Sequence, residues 1–185
     1  MISIKGSVLR SRLALVDELA PGDGRERVLA RLDRGDRETL ESLLASSWYP
    51  FDLGCRLDEA IVSELGGGTA VFFEKLGEAS AQKNLGAGGV HRGFVVPGDP
   101  QAFLAKTPLI YSYYYDQGRR EYEKTGESEA VLTTRDAETF SAPDCLTVVG
   151  WYRRALEMCG ARSPRVVEEE CRAKGGAVCR YRLSW

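Results

Sequence analysis

The sequence contains a single histidine, His91, among its 185 residues. A Ser-His or Cys-His catalytic pair therefore has only one candidate base, and neither the G-x-S-x-G nor the H-E-x-x-H motif is present. The glycine-rich stretches ELGGGT and NLGAGG lack the lysine of a P-loop and the spacing of a dinucleotide-binding fingerprint, so we interpret both as loops. We therefore expect no enzyme, since catalysis would need a polar, concave site around His91.

The chain also lacks an excess of one charge and a long apolar run. Its 25 basic and 27 acidic residues give a net charge of -2, which provides no general attraction to nucleic acid or anionic membrane. Arg10, Arg12 and Asp17 interrupt the apolar core that a signal peptide would need, and no run approaches the ~18 apolar residues of a membrane span. Five cysteines without a secretion signal are typical of a reducing compartment. We expect a cytoplasmic protein without a nucleic-acid partner.

Helical patterns dominate the first two thirds of the chain. The length predicts one domain over 1–185, with a helical N-terminal extension over 1–47 and a core over 48–185. VLRSRLALVDEL, RERVLARLD and DRETLESLLASS have helical spacing, as do CRLDEAIVSEL and TAVFFEKLGEASAQKNL after them. Pro108 is expected to interrupt the later stretch QAFLAKTPLIYSYYYDQG.

The last third changes to alternating patterns around one helix. RREYEK and EAVLTTRD flank a TGES turn, and RVVEEEC and AVCRYRLSW flank Lys174-Gly175-Gly176, so each pair predicts a hairpin. Between them, APDCLTVVGWYRRALEMCG begins with Pro143 and ends at Gly160, as a helix does. The order predicts an α+β fold: a four-stranded antiparallel sheet with helices packed on one face.

Three cysteines fall where these elements meet. Cys145 lies at the start of the last helix, and Cys171 and Cys179 lie on either side of the last turn. Their thiolates could converge with one acid of the Glu-Glu-Glu run to form a tetrahedral zinc shell. Cysteine is also a small, readily buried residue, so ordinary packing explains the same positions. The spacing alone leaves both interpretations open.

The closing segment E-x-x-C-x-x-x-G-x-x-x-C-x-Y, preceded by CLTVVGW, resembles the vinyl-4-reductase domain, which includes the sensory domains of phenol- and xylene-responsive activators. The resemblance covers about the last quarter of the chain. It implies a homodimer and a structural zinc ion held by Cys145, Glu168, Cys171 and Cys179. A regular strand, however, places Glu168 and Cys171 on opposite faces, so Glu168 could ligate only if the strand bends or bulges before the turn.

The same resemblance implies an aromatic ligand enclosed between the helices and the sheet. His91 could donate a hydrogen bond to such a ligand, although a lone histidine beside a glycine-rich loop is also typical of a surface. Helical spacing of aromatics is equally explained by an ordinary core. The residues available to line the pocket are Trp48, Tyr49, Phe72, Phe94, Phe103, Tyr111, Tyr115 and Trp151.

The whole chain is also similar to stand-alone myxobacterial proteins of unassigned function, through SSWYP, ELGGG, GWYRRALEMCGA and the closing hairpin. The same broad fold class includes TRAPP vesicle-tethering subunits and, more remotely, haem nitric-oxide sensors. The Y-x-S-x-R haem signature is missing, because the run from Tyr111 to Tyr115 does not supply it, and we therefore expect no haem.

The sequence thus predicts a non-enzymatic, homodimeric module that binds a small hydrophobic or aromatic molecule and signals to a separate protein partner. The alternative is a TRAPP-like protein-interaction scaffold with a filled core and no ligand. Stacking of YSYYYDQGRR on single-stranded nucleic acid is disfavoured, because no basic field surrounds this run. An internal pocket would distinguish the first two hypotheses.

Overall fold

The computed structural model describes residues 2–138 and 141–185. The N-terminal region is helical, with one short strand on each side. Strand β1 pairs antiparallel with β2, so Ile4 lies opposite Tyr49 and the two ends of this region are held together. The elements are β1 (Ser3–Lys5), α1 (Gly6–Leu19), α2 (Gly24–Ala30), α3 (Arg34–Glu41) and β2 (Trp48–Pro50).

Two amphipathic helices follow, α4 (Phe51–Glu64) and α5 (Phe72–Leu85). Leu57 and Ile61 lie one turn apart on α4 and are fully buried, as are Phe73 and Leu76 on α5. These side chains share one hydrophobic cluster with the N-terminal helices α1 to α3. The N-terminal helices therefore bury their apolar faces against α4 and the first half of α5.

Two short helices lead to the sheet, α6 (Pro100–Leu104) and α7 (Thr107–Ser112). Each has a proline in its first turn, where a missing backbone N–H is tolerated. Pro108 thus separates two helices, as its position in the sequence predicts. The Asp99 side chain caps α6 by accepting a hydrogen bond from the backbone N–H of Ala102 at 2.9 Å.

The sheet has four antiparallel strands in the order β3-β4-β6-β5. The strands are β3 (Arg119–Gly126), β4 (Glu129–Arg135), β5 (Arg165–Glu170) and β6 (Cys179–Ser184). On β6, Cys179, Tyr181 and Leu183 are buried, while Arg182 faces solvent. The α+β class and the four-stranded antiparallel sheet that the alternating patterns predict are confirmed.

Helix α8 (Ala142–Met158) connects the two hairpins. The Ser141 hydroxyl accepts a hydrogen bond from the Asp144 N–H at 3.1 Å, and Gly160 ends the helix region with a φ of 91°. α8 packs along α5 and also contacts β5. The contact with α5 is close because Gly77 and Gly150 face the backbone of the opposite helix. α8 thus connects the helical region to the sheet.

A second hydrophobic cluster fills the space between α8, the end of α5, α6 and the sheet. Phe103, Leu132, Leu156 and Tyr181 are almost completely buried there. Within the described ranges, no helix is both long enough and apolar enough to cross a membrane.

Candidate functional site

A cavity of about 340 Å³ lies between α1, α5, α7, β3 and α8. Its volume falls within the range of roughly 300–1,000 Å³ that is usual for ligand pockets. The wall is mostly apolar and includes Leu15, Leu76, Ile110, Val148 and Trp151. A few polar groups converge on this apolar wall, which is the composition of a small-molecule site.

Four of the residues predicted to line a pocket do so: His91, Tyr111, Tyr115 and Trp151. The other predicted side chains lie elsewhere. Trp48 is 43% exposed beneath the Lys5 ammonium, and the Tyr49 hydroxyl accepts a hydrogen bond from the backbone N–H of Leu44. The Phe72 ring contacts the Phe73 ring edge to face, and the Phe94 ring packs on His91. Phe103 is fully buried against Trp151.

His91 is buried at the cavity wall within an aromatic cluster. Its ring centroid lies 5.3 Å from those of Tyr113 and Tyr114 and 5.6 Å from that of Phe94. Burial lowers the pKa of His91, so the imidazole is neutral near pH 7. A neutral imidazole can donate one hydrogen bond and accept another, or bind a metal through a ring nitrogen.

One side of the cavity carries a buried ion-pair network. Arg12 Nε lies 2.6 Å from Asp58 Oδ1, and Arg12 Nη2 lies 2.7 Å from Asp144 Oδ1. The Tyr115 hydroxyl donates to Asp144 Oδ2 at 2.9 Å. Burial raises the pKa of Asp58 to about 7, and the opposing effect of Arg12 only partly offsets it. This network joins α1, α4 and α8 at the cavity wall.

A second buried arginine, Arg120 on β3, lines the cavity without such a network. It donates hydrogen bonds to the Thr134 hydroxyl at 3.1 Å and the Tyr152 hydroxyl at 3.2 Å. Its guanidinium carbon lies 5.2 to 5.6 Å from the ring centroids of Tyr111, Tyr152 and Tyr181. All of these partners are uncharged side chains.

Four further residues line the cavity although no sequence pattern indicated them as site residues: Arg12, Tyr114, Arg120 and Asp144. Arg120 belongs to a charged run whose alternation does indicate a strand, and its register opposite Thr134 places it on the buried face. That register depends on the β3–β4 turn, so a one-residue shift would have exposed Arg120. The alternation was the available signal, but it does not show which face is buried.

The three cysteines Cys145, Cys171 and Cys179 lie together. The sulfur of Cys145 lies 3.7 Å from that of Cys179 and 3.6 Å from that of Cys171, and all three sulfurs lie within 4.8 Å of one another. Three sulfurs bound to zinc at about 2.3 Å in tetrahedral geometry would be about 3.8 Å apart. The spacing of the thiols therefore suits a tetrahedral metal ion.

Glu168 is beside this cluster because β5 is irregular. The register shifts between Glu168 and Glu170, so the strand does not alternate regularly before Cys171. The Glu168 side chain is only 6% exposed, its Oε2 lies 2.6 Å from Lys174 Nζ, and its buried Oε1 has no hydrogen-bond partner among the described residues. Glu168 nevertheless lies outside the group of donor atoms within 4.8 Å of one another.

The other two acids of the run have different partners. Glu169 forms an ion pair with Arg182 at 2.5 Å on the exposed face. Glu170 Oε1 accepts hydrogen bonds from the backbone N–H groups of Ala177 and Val178 at 2.7 and 3.2 Å, which holds the glycine-containing turn. Glu168 is therefore the acid of the run whose carboxylate keeps a free buried oxygen.

The surroundings of the three thiols shift their pKa values in different directions. The hydrogen bond between Cys145 and Cys179, together with burial, raises the pKa of Cys145, and the same hydrogen bond lowers the pKa of Cys179 to about 7. The backbone N–H of Arg172 donates to Cys179 Sγ at 3.5 Å, and it too lowers that pKa. Burial, with Glu168 nearby, raises the pKa of Cys171. Cys179 is thus the thiol best prepared to bind as a thiolate.

Comparison with solved structures identifies the fold as that of the H-NOX domains. An H-NOX mutant from K. algicida, in the Fe(II) unliganded form, has a TM-score of 0.74 at 12% identity, with 97% of this chain and 95% of that chain covered. An H-NOX protein from S. oneidensis in the Fe(II)NO state has a TM-score of 0.72 at 10% identity, covering 97% and 98%. A third structure, from work on haem distortion in the H-NOX family, has a TM-score of 0.71 at 10% identity, covering 98% and 94%.

The chain itself belongs to the family described as "Protein of unknown function (DUF2378)", whose profile matches residues 60–185. No curated protein sequence matches this chain. At 10–12% identity, the likeness to the H-NOX structures concerns the fold alone.

The prediction that haem is excluded is wrong, because the structures that share this fold are H-NOX domains, including some studied for haem distortion. The missing Y-x-S-x-R signature excludes only one way of holding haem. The chain has a donor of the right kind, since His91 is neutral and lines the cavity, and histidine is a common axial ligand of haem iron.

Proposed function

We propose that this protein is a non-enzymatic small-molecule-binding signalling module, whose ligand occupies the cavity between α1, α5, α7, β3 and α8. The observation that supports this most is the cavity itself, which combines an apolar wall with the convergent polar groups of His91, Tyr114 and Arg120. A scaffold with a filled core would have no such space. This chain also has the fold of H-NOX domains, one of which was solved in the Fe(II)NO ligation state.

We also propose that a zinc ion bound by Cys145, Glu168, Cys171 and Cys179 holds the sensor together. It would tie the start of α8 to the closing β5–β6 hairpin. The sulfur spacing and the free Oε1 of Glu168 support this role. Four protein ligands leave no open coordination position, so the ion would be structural and not catalytic.

The resemblance of the closing segment to vinyl-4-reductase sensors supports the choice of Glu168 and a homodimer. The contacts of α7 with β3 and of α8 with β5 support a sheet covered by helices on one face. Light scattering coupled to size exclusion measures the dimer, and a monomer at micromolar concentration would contradict it.

Haem is a second candidate for the bound group, because His91 lines a cavity in an H-NOX fold. When bound, haem would supply an iron able to take a gas such as the NO held by the S. oneidensis protein. His91 would provide the ring nitrogen, while Phe94, Tyr113 and Tyr114 fix the orientation of its ring.

Calorimetric titration of the protein with a series of alkylphenols tests the cavity as a binding site. Ser11 of α1 lines the cavity and is partly buried, so Ser11→Phe should fill part of the space. We expect binding to the wild type and at least a tenfold loss in Ser11→Phe, with the fold checked by circular dichroism. Equal binding to both proteins would place the ligand elsewhere.

The haem candidate has its own test. Haem is titrated into the wild type and into His91→Phe, which keeps an aromatic ring in the cluster but has no nitrogen. A Soret band that shifts on binding to the wild type and is altered in His91→Phe supports His91 ligation. An unshifted band in the wild type rejects haem, and the alkylphenol titration remains a separate test of the cavity.

A further inference from the structure

Two buried arginines line the cavity, and their electrostatic surroundings are opposite. Arg12 lies between the side chains of Asp58 and Asp144, at 2.6 and 2.7 Å, so it has two buried acidic partners. Arg120 is equally inaccessible, with 7% of its surface exposed, yet no carboxylate lies within ion-pair distance of it in residues 2–138 and 141–185. On its β3 side the cavity therefore has a buried positive charge that pairs with no carboxylate among the described residues.

The neutral partners of Arg120 do not balance the cost of burying this charge. Cation–π contacts with ring faces and hydrogen bonds to neutral hydroxyls offset only part of the hydration that a buried ion loses. Burial raises the pKa of Tyr114 and of Tyr181, so these hydroxyls remain protonated and supply no negative charge. Buried arginines are rarely left without a counter-ion.

A second polar group at the cavity wall also lacks a partner. The Tyr114 hydroxyl is buried and has no hydrogen-bond partner among the described residues. Tyr152 lines the same cavity, and its hydroxyl accepts a hydrogen bond from Arg120. A hydroxyl donor and a guanidinium thus line one mostly apolar cavity, and both suit the oxygens of a carboxylate.

We propose that the ligand of the cavity is a small organic acid, whose carboxylate binds Arg120 and the Tyr114 hydroxyl while its apolar body packs against Ile110, Val148 and Trp151. This inference rests on the proposed function, because it names the chemical class of the molecule that the cavity holds. Arginine and carboxylate form short, charge-assisted hydrogen bonds, and these strengthen in a site that excludes water. The acid would place a carboxylate beside Arg120, which has none within ion-pair distance among the described residues.

The test compares phenylalkanoic acids with their primary amides, which match them in shape but carry no charge. Calorimetric titration at pH 7 uses protein whose absorbance shows that it is free of haem. We expect the best acid to bind the wild type roughly 10- to 100-fold more tightly than its amide, as a charged hydrogen bond implies. Arg120→Met should remove this preference, and Arg120→Lys should retain part of it.

A melting experiment without ligand accompanies the titration. Arg120→Met removes a buried charge that has no carboxylate partner, so we expect the ligand-free variant to melt at or above the wild-type temperature. Arg135→Met removes a partly exposed arginine from the neighbouring strand and controls for loss of a side chain. A large drop in melting temperature for Arg120→Met alone would show that the tyrosine rings and hydroxyls already satisfy this charge, which would overturn the inference.

The other outcomes separate the two proposals. Equal affinity for acid and amide, or an acid preference that survives in Arg120→Met, overturns the organic-acid inference and leaves the cavity as a binding site. Failure of acids, amides, alkylphenols and haem alike overturns the proposed function as well. If Arg120→Met does not fold, the wild-type comparison and Arg120→Lys still decide the question.

Discussion

The sulfur atoms of Cys145 and Cys179 lie 3.7 Å apart, although the two residues are 34 positions apart in the chain. Cys145 lies in the first turn of α8 and Cys179 begins β6, so the contact joins the helix to the closing hairpin. Cys171 completes the triangle from the end of β5. A metal ion bound by the three sulfurs would link α8, the end of β5 and the start of β6.

Loss of a cysteine from this triangle should cost both metal and stability. We expect wild-type protein purified without chelator to contain stoichiometric zinc, and Cys171→Ser to lose it and melt at a lower temperature, because metal binding is coupled to folding. Elemental analysis and thermal melting measure the two effects. Cys159→Ala is the control, since Cys159 is fully buried on the same helix face but outside the triangle.

Neighbouring acids allow a matched test of the fourth ligand. Glu168→Gln should weaken zinc retention against a competing chelator, whereas Glu169→Gln removes only an exposed ion pair with Arg182 and should behave as the wild type does. Identical zinc loss in both variants would contradict the role of Glu168. The role of Glu168 would also be contradicted if Glu168→Gln retained zinc as well as the wild type does.

Arg12 should be far more important to stability than an exposed arginine. Arg12→Met leaves Asp58 and Asp144 buried without their counter-ion, and we expect a loss of about 3–5 kcal/mol in the free energy of unfolding. Arg25→Met breaks an exposed pair with Asp17 and should cost about 0–1 kcal/mol. Urea denaturation of both variants provides the comparison, and similar losses in the two would contradict the buried network.

Asp58 should make stability depend on pH in the acidic range. Burial raises its pKa from 3.8 in the unfolded chain to about 7 in the folded protein. The folded state therefore keeps a proton that the unfolded state has lost, and this contribution to the free energy of unfolding falls as the pH rises from about 4 to about 7. The change is on the order of a few kcal/mol.

Asp58→Asn should flatten this part of the pH profile, because the amide does not titrate. Asp52→Asn, on the exposed side of the same helix, should leave the profile unchanged. Denaturation midpoints measured at several pH values give the slope for each protein. If the stability of Asp58→Asn changed with pH as steeply as that of the wild type, Asp58 would be ionised in the folded protein over this whole pH range.

The contact between α5 and α8 should not tolerate a methyl group. A Cβ at Gly150 would overlap the backbone oxygen of Glu74, so we expect Gly150→Ala to destabilise the protein by about 1–3 kcal/mol. Gly35→Ala, at an open position within α3, should instead stabilise it by about 0.4–1 kcal/mol through the unfolded state. Chemical denaturation measures both, and a neutral Gly150→Ala would mean that the helices separate easily.

The sequence predicts the local elements of this fold better than its long-range contacts. Alternation and caps indicate both hairpins and α8, and residues flanking a hairpin must approach each other, which places Cys171 near Cys179. The ion pair of Arg12 with Asp144 joins residues 132 positions apart, and no local pattern specifies it. The burial of Arg120 is likewise not indicated by the local pattern, because a charged residue in an alternating strand is expected on the exposed face.

The expectation about haem failed for a related reason. A missing motif describes one set of side chains that can hold a group, whereas the shape of the cavity depends on the packing of five elements. For Glu168 the resemblance was more informative than the strand pattern. Ligation by Glu168 requires an irregular strand, and β5 has a register shift between Glu168 and Glu170. Such irregularities depend on tertiary contacts, which periodicity alone does not reveal.

Native mass spectrometry tests the central claim, that the cavity holds a small molecule, most directly. Wild-type protein and Ser11→Phe are each equilibrated with the tightest-binding compound from the titrations. We predict one ligand adduct per chain on the wild type and none on Ser11→Phe at the same concentration. Adducts of equal abundance on both proteins, or none on either, would contradict a ligand-binding cavity.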